Sequence, residues 1–363
     1  MKRITVQLLI IILCLAVLTA CSQGASTTSV QDSVGPSETQ EPTASDDTDE
    51  SDTGDAETSG DVLEAARVGA LKGPTSMGMV KLMDEVDAGE VTEVNYEFTI
   101  AGAIDEIISK INHGELDIAA VPANLASVLY NNTGGQVKVM AINTLGVLYI
   151  IESGDTVQSV EDLRGKTIYA SGKGATPEYA LNYILSENGL NPGSDVNIEW
   201  KSEHSECVAA LVSDDNAIAM LPQPFATTAL NSAENMRMAL DLTEEWDKLQ
   251  TGAEEPSALI TGVVVVRSDF VTENPDTVSD FLDRYLNSVD FVNSNVTDAA
   301  ELIGRYDIVV SEVAEKALPY CNIVFIEGQE MREKLSGYLN VLLEQAPESV
   351  GDKLPDDQFY YER

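Results

Sequence analysis

The stretch Ile118-Ala119-Ala120-Val121-Pro122 returns one hundred residues later as Ile218-Ala219-Met220-Leu221-Pro222. Each copy is a short apolar run that stops at a proline, which is the pattern of a strand followed by a break. Helical patterns lie on both sides of each run, so each belongs to a series of strand, helix and strand. Such a series predicts parallel strands joined by right-handed crossovers. We therefore expect two copies of one α/β unit.

The segments before these two strands repeat in the same order. Residues 94–98 and 196–200 share a Val-Asn start and read as strands, and residues 72–76 and 173–177 read as turns that lead into helices. The shared order predicts two lobes, each with a sheet between helical layers. Helices beyond residue 266 carry no third copy, so we expect them to return to the first lobe.

Two apolar segments join the predicted lobes. Residues 137–151 lead out of the first copy, and residues 259–266 lead back. We expect a two-strand hinge near residues 149–152 and 260–263. The predicted organisation places lobe 1 at residues 62–151 plus 262–363 and lobe 2 at residues 152–261.

The amino terminus predicts export and lipidation. Lys2 and Arg3 precede an apolar run over residues 8–18, which is too short to span a bilayer but suits a signal peptide. The run ends in Leu18-Thr19-Ala20-Cys21, a lipobox, so we expect a signal peptide over residues 1–20 and a lipid on Cys21. An ordinary secretory signal with an incidental cysteine is the alternative interpretation.

Residues 21–61 predict a disordered tether. Residues 22–61 contain fifteen Ser or Thr, eleven Asp or Glu and no Lys or Arg. Such a composition buries too little apolar surface to offset its ordering entropy. The predicted signal peptide and lipid together indicate an extracytoplasmic location, with the chain bound to the cell membrane through that lipid.

Charge and composition exclude several functions. The chain has 363 residues, a formal net charge of -40 and 44% hydrophobic residues, which fits a globular protein of about two domains. The negative charge argues against nucleic acid as a partner, because phosphates would approach through a repulsive field. His113 and His204 are the only histidines and stand 91 residues apart, so no spacing resembles a metal site.

Cysteines leave one question open. Cys14 lies in the signal peptide and Cys21 is the predicted lipid attachment site, so Cys207 and Cys321 remain in the folded part. Two buried thiols or a disulfide are both compatible with an extracytoplasmic protein.

Polar residues at predicted helix starts indicate a binding site between the lobes. Ligands of open α/β sheets lie beyond the carboxyl ends of strands, where helix starts offer free backbone N–H groups. Capping of the helix is the alternative role for such residues. The candidate ligand-binding residues are Lys72, Thr75, Ser76, Asn124, Asn143, Lys173, Thr176, Glu203, His204 and Gln223.

Within this set the charged residues have distinct expected roles. Lys72 and Lys173 occupy equivalent turns and suit an anionic or carbonyl group, unless they are merely solvated. Glu203 and His204 suit a ring N–H or an ammonium, or only stabilise their helix. We expect Trp200 to lie in the core and His113 to stabilise a helix end.

The turn at residues 72–76, the turn at residues 122–124, residues 159–169 and Pro222-Gln223-Pro224-Phe225 together resemble solute-binding proteins of ABC importers. The similarity is to the nitrate, sulfonate and taurine family, which includes binders of thiamine-pyrimidine precursors. It covers roughly residues 66–345. The resemblance implies a two-lobed Venus-flytrap fold of the type II periplasmic-binding-protein class, three-layer α/β lobes and a two-strand hinge. It also implies a monomer that hands a small solute to an ABC permease, without a cofactor.

The solute class and the exact role remain open at this stage. A sulfonate or nitrate would use N–H groups and lysine, whereas a heteroaromatic precursor would use aromatic stacking and, in addition, a polar contact with Glu203 or His204. A ligand-sensing lipoprotein of the same fold without a transport role is the alternative function. An enzyme is disfavoured, because no nucleophile elbow, phosphate loop or complete dinucleotide fingerprint is present.

Overall fold

The computed structural model describes residues 65–252 and 256–363. The predicted signal peptide, Cys21 and the predicted tether lie outside the described residues. Two sheets organise the chain, one with six strands and one with five. The strands are β1 (Ala66–Leu71), β2 (Tyr96–Ala101), β3 (Ile118–Pro122), β4 (Val137–Leu145), β5 (Leu148–Ser153), β6 (Thr167–Ser171), β7 (Asn197–Lys201), β8 (Ile218–Pro222), β9 (Met236–Asp241), β10 (Ile260–Arg267) and β11 (Ile323–Ile326).

Helices connect and cover these strands. Several follow apolar faces that the sequence displays, such as the helix through Ile107 and Ile111, whose two side chains are buried. The α-helices are α1 (Pro74–Met77), α2 (Val80–Asp87), α3 (Ile104–Asn112), α4 (Ala123–Thr133), α5 (Thr176–Glu187), α6 (His204–Ser213), α7 (Phe225–Leu230), α8 (Leu242–Leu249), α9 (Ser268–Glu273), α10 (Pro275–Ser294), α11 (Val296–Arg305), α12 (Ser311–Ala317) and α13 (Gly328–Gln345).

The two sheets share one strand order. The first runs β11-β4-β10-β3-β1-β2 and the second runs β7-β6-β8-β5-β9, so the first five-strand pattern β2-β1-β3-β10-β4 matches β7-β6-β8-β5-β9. The register repeats as well, because Val68 pairs with Ile118 and Ile168 pairs with Ile218. The predicted repeat therefore corresponds to two equivalent α/β sheets, which we call the first and second lobes with the helices packed on each.

Each sheet contains an interior strand that runs antiparallel to both of its neighbours. In the first lobe β10 lies between β3 and β4, and in the second β5 lies between β8 and β9. All six residues of β5 are buried, since helices cover both faces of a central strand. Both strands have the apolar character on both faces that such a position requires.

The predicted boundary after residue 151 is wrong. Residues 148–151 belong to β5 and pair throughout with the second sheet, and Ile260 begins β10 in the first sheet. The chain therefore crosses at residues 146–147 and again between Leu249 and Ile260. The physical reason is that each apolar segment fills a central position in the sheet it enters, instead of running between the lobes.

Helix α13 and its surroundings bring the lobes together. One apolar cluster contains residues of both sheets, of α13 and of α5 and α8. In it Trp246 of α8 and Tyr338 of α13 are both fully buried, with ring centroids 5.9 Å apart. Gly337 lets α13 pack closely on Pro256, because a Cβ at that position would lie 2.6 Å from the Pro256 carbonyl oxygen.

The carboxyl-terminal segment after α13 packs along α4. Ser127 donates a hydrogen bond to the Val350 carbonyl at 2.7 Å, and Asn131 donates to the same carbonyl at 2.9 Å. Tyr130 donates to Asp356 at 2.5 Å, and burial together with this carboxylate raises the pKa of Tyr130 to about 12. The segment thus belongs to the first lobe.

Candidate functional site

The candidate site lies where the carboxyl ends of the parallel strands of both lobes meet the crossing segments. In the first lobe Pro122 at the end of β3 pairs with Gly262, and in the second Pro222 at the end of β8 pairs with Leu148. The loops and first helical turns after β1, β3, β6, β7 and β8 therefore lie along the boundary between the two lobes, and we refer to this boundary as the interlobe gap.

The first turn of α1 uses its hydroxyl groups internally. Thr75 or Ser76 was expected to cap this helix, but the helix begins at Pro74 and its N-cap is Gly73, at a φ of 128°. Proline suits the first position because it has no N–H to satisfy there. Thr75 donates to the Leu71 carbonyl at 3.0 Å and Ser76 to the Gly73 carbonyl at 2.9 Å.

Asn143 supports that turn from β4. Its Nδ2 donates to the Thr75 carbonyl at 2.9 Å, its Oδ1 accepts from Thr144 Oγ1 at 3.2 Å, and it is 1% exposed. Gly262 makes room for the pair, because a Cβ there would lie 2.5 Å from Thr75 Cγ2 and 2.6 Å from Asn143 Oδ1. Asn143 thus lies inside the first lobe and fixes the position of the α1 turn.

Asn124 connects three parts of the chain. It occupies the second position of α4, whose N-cap is Pro122, so the alternative role of capping this helix does not apply. Its Nδ2 donates to the Ser349 carbonyl at 3.1 Å, and its Oδ1 accepts from Thr176 Oγ1 of the second lobe at 3.5 Å. Thr176 Oγ1 in turn accepts from Tyr338 at 3.4 Å. Asn124 and Thr176 therefore meet across the gap.

The two lysines that occupy equivalent turns differ in their surroundings. Lys72 forms an ion pair with Asp307 at 2.7 Å, so its charge is compensated within the first lobe. Lys173 is exposed. An ion pair this close to solvent is of modest strength.

Glu203 and His204 lie at the start of α6. Glu203 is the N-cap in a reciprocal capping box with Glu206, so helix stabilisation accounts for its carboxylate. His204 Nδ1 forms a hydrogen bond with Ser171 Oγ, and the imidazole lies 4.9 Å from the Phe225 ring centre. Burial lowers the pKa of His204, partly opposed by Glu203, and the imidazole is therefore neutral at pH 7.

Gln223 follows β8 and is 2% exposed. Its backbone N–H donates to the Val147 carbonyl of the first crossing at 2.9 Å. Its side-chain Oε1 accepts from the Thr227 N–H at 3.3 Å and from Thr227 Oγ1 at 2.8 Å. Its Nε2 has no hydrogen-bond partner among the described residues.

Further contacts between the lobes were not predicted from the sequence. Tyr149 donates to the Tyr320 carbonyl at 2.7 Å, and Lys316 donates to Asn231 at 3.1 Å. Ser171 was missed too, although its position as the last residue of β6 is a signal that it borders the gap. The long-range pairs carried no such signal, because they depend on how α12 and α13 return to the lobes.

The two cysteines of the folded part are enclosed in the protein interior. Cys207 and Cys321 are buried free thiols in different apolar clusters, which decides the open question against a disulfide. Burial raises the pKa of Cys321 to about 12, and it also raises the pKa of Cys207.

Trp200 is half-buried against the core. His113 ends α3, and its Nδ1 lies 2.8 Å from the Ser109 carbonyl oxygen.

Two features are absent from the described ranges. No group of three His, Cys, Asp or Glu side chains within residues 65–252 and 256–363 is arranged to hold a metal ion. None of the helices in these ranges has the length and apolar character of a membrane span.

Solved structures with this fold include carriers of ABC systems. An ABC transporter protein of Parabacteroides distasonis is 20% identical, with a TM-score of 0.69, and the alignment covers 84% of this chain and 100% of that one. The periplasmic aliphatic sulphonate binding protein SsuA of Escherichia coli is 15% identical (TM-score 0.64, 82% and 92% covered). The zinc-bound ligand binding component of an ABC-type import system of Staphylococcus aureus is 15% identical (TM-score 0.59, 82% and 97% covered).

At these identities the structures show the fold alone, and they confirm the predicted two-lobed α/β class. A comparison with curated proteins gave no match. The family model described as "ABC transporter, phosphonate, periplasmic substrate-binding protein" matches residues 80–302, which confirms the predicted resemblance to ABC-importer binding proteins. Since that match spans more than half of the chain, this protein belongs to the phosphonate-type family of periplasmic substrate-binding proteins of ABC transporters.

Proposed function

We propose that this protein is a lipid-anchored receptor that captures a small solute in the interlobe gap and delivers it to the permease of an ABC importer. Cys21 carries the lipid, and residues 21–61 form the tether between the membrane and the folded part. The chain acts as a monomer, because one chain supplies both walls of the gap. It performs no chemistry on the solute.

The contact between Asn124 and Thr176 carries this proposal. Each residue lies in the first turn of a helix, α4 and α5, where backbone N–H groups lack intrahelical partners. The two side chains belong to different lobes and are 3.5 Å apart. A solute that enters between them meets polar groups of both walls at once, which is the arrangement that couples binding to closure of the lobes.

The solute class follows from the charges at the gap. Lys72 is already paired with Asp307 and Lys173 is exposed, so neutral hydroxyl, amide and backbone N–H donors supply most of the recognition. Such donors suit a small oxyanion, and helix starts favour negative charge. We therefore propose phosphonates, sulfonates and nitrate as the first candidate solutes.

A planar nitrogen ring is the second candidate solute. His204 and Phe225 stand 4.9 Å apart at the second-lobe side of the gap, and a neutral imidazole both donates and accepts. A pyrimidine would use this pair for stacking and for one hydrogen bond.

A thermal-shift screen followed by calorimetry tests the proposal. Phosphonates, sulfonates, nitrate and pyrimidines are screened first, and the affinity of the strongest binder is then measured for Thr176→Val, which removes one hydroxyl at nearly constant volume. The loss of one hydrogen bond to a buried partner should weaken binding by about 1 to 3 kcal/mol, or roughly five- to a hundredfold.

The matched control is Thr272→Val on α9, whose exposed hydroxyl donates only to the Ser268 carbonyl of its own helix. Its affinity should equal that of the wild type. Equal affinities for both variants, with unchanged urea midpoints, would place the solute away from the Asn124–Thr176 contact.

A further inference from the structure

Gln223 combines burial with incomplete hydrogen bonding of its side chain. The residue is 2% exposed and lies directly after β8, at the edge of the second sheet that borders the gap. Its backbone is fixed by the hydrogen bond to Val147 in the first crossing. One end of its side-chain amide is bonded and the other end is not.

The hydrogen bonds to Thr227 determine which end is free. A backbone N–H can only donate, so the amide atom that faces the Thr227 N–H must be the oxygen. Rotating the amide by 180° would place an NH₂ group against that N–H, and both groups would be donors. The free end is therefore the NH₂ group, and its two N–H bonds have no acceptor in the described protein.

A buried donor without an acceptor is unfavourable, so an ordered water or a bound molecule from outside the chain completes the bond. We propose that the NH₂ group of Gln223 donates a hydrogen bond to the bound solute, so that the solute must place an acceptor atom there. This inference rests on the proposed solute-binding function, and it adds that at one contact the protein donates the hydrogen bond and the solute accepts it. It excludes solutes whose group at that place can only donate, such as an ammonium.

Gln223→Glu is the sharpest test, because it changes polarity at constant shape. The carboxylate retains an oxygen for Thr227, and it replaces the NH₂ donor by a second acceptor. Gln223→Met removes the donor without adding charge, so it keeps the test valid if the Glu variant folds poorly. Circular dichroism and urea midpoints report folding for both.

Four acceptor probes and one donor probe are used at pH 8. The acceptor probes are methylphosphonate, ethanesulfonate, nitrate and uracil, and the donor probe is ethylammonium. We expect at least one acceptor probe to raise the melting temperature of the wild type, and ethylammonium to leave it unchanged. Calorimetry with that acceptor probe should show an affinity about tenfold lower in Gln223→Met and lower still in Gln223→Glu.

Two results would overturn the inference. They are binding of ethylammonium to the wild type, and an affinity of both Gln223 variants within twofold of the wild type for a probe that Thr176→Val binds more weakly. Failure of the proposed site looks different. In that case no acceptor probe binds, or an acceptor probe binds with the wild-type affinity to Thr176→Val and to both Gln223 variants.

Discussion

Replacing Asn143 by aspartate tests whether this residue holds the α1 turn. The substitution changes Nδ2 into an oxygen that faces the Thr75 carbonyl oxygen, 2.9 Å away in the wild type, at a position that is 1% exposed. Leaving a buried carbonyl without its donor costs about 1 to 3 kcal/mol, and an uncompensated buried charge raises the cost to about 3 to 5 kcal/mol. We expect a loss of about 3 kcal/mol at pH 7.

The loss should depend on pH with a definite sign. Burial and the facing carbonyl disfavour the charged form, so the pKa of the new carboxyl rises above its value in the unfolded chain. A protonated carboxyl can donate to the Thr75 carbonyl and restore the bond. The difference in free energy of unfolding between the wild type and Asn143→Asp should therefore be small near pH 4 and increase as pH rises toward 7.

Urea unfolding at pH 4.5, 6 and 7.5 measures this difference, provided that the m-values agree. Asn231→Asp is the matched control, because Asn231 is exposed and its Oδ1 accepts from Lys316, which a carboxylate also satisfies. It should change stability by less than about 0.5 kcal/mol. A loss below about 1 kcal/mol for Asn143→Asp at pH 7, or a loss that shrinks as pH rises, would refute the reasoning.

Three further predictions concern the anchor, the lobes and His204. Cys21→Ala should release the protein from membranes or leave it as an unprocessed precursor, and recovery of the wild type in the aqueous phase of a detergent partition would contradict lipidation. A saturating solute should reduce the radius of gyration in solution scattering, whereas binding without compaction would argue against closure of the lobes. Because burial lowers the pKa of His204, the unfolded state binds more protons below the ordinary histidine pKa, and stability is lost as pH falls through that range. Urea midpoints should therefore drop more between pH 7 and 5 for the wild type than for His204→Asn, and equal drops would count against a neutral buried imidazole.

Local patterns were sufficient to predict the repeated strands. The copies at Ile118–Pro122 and Ile218–Pro222 became β3 and β8, which occupy the same place in the two sheets. Apolar runs, prolines and turn residues act over a few positions, so they can be seen directly in the sequence. The position of β5 was assigned to the wrong lobe, because an apolar run does not reveal which sheet it enters.

The positions of the candidate residues at strand ends were predictable from the sequence, but their contacts were not. Residues such as Asn124 and Gln223 do lie at the strand ends that border the gap. Their partners, however, come from residues far away in sequence: the Ser349 carbonyl for Asn124, and Val147 for the backbone of Gln223. Only the folded arrangement shows that Asn143 is committed to Thr75 and that Lys72 is paired with Asp307.

The apolar cluster that contains Trp246 and Tyr338 has a consequence for how the protein unfolds. Neither ring is accessible to water, and each is covered in part by the other lobe. Separating the lobes completely would expose both rings, which are among the largest contributors to burial in any core. We therefore expect the lobes to melt in one transition, and a fragment limited to residues 148–249 to aggregate, since Trp246 would lose the helix that shields it.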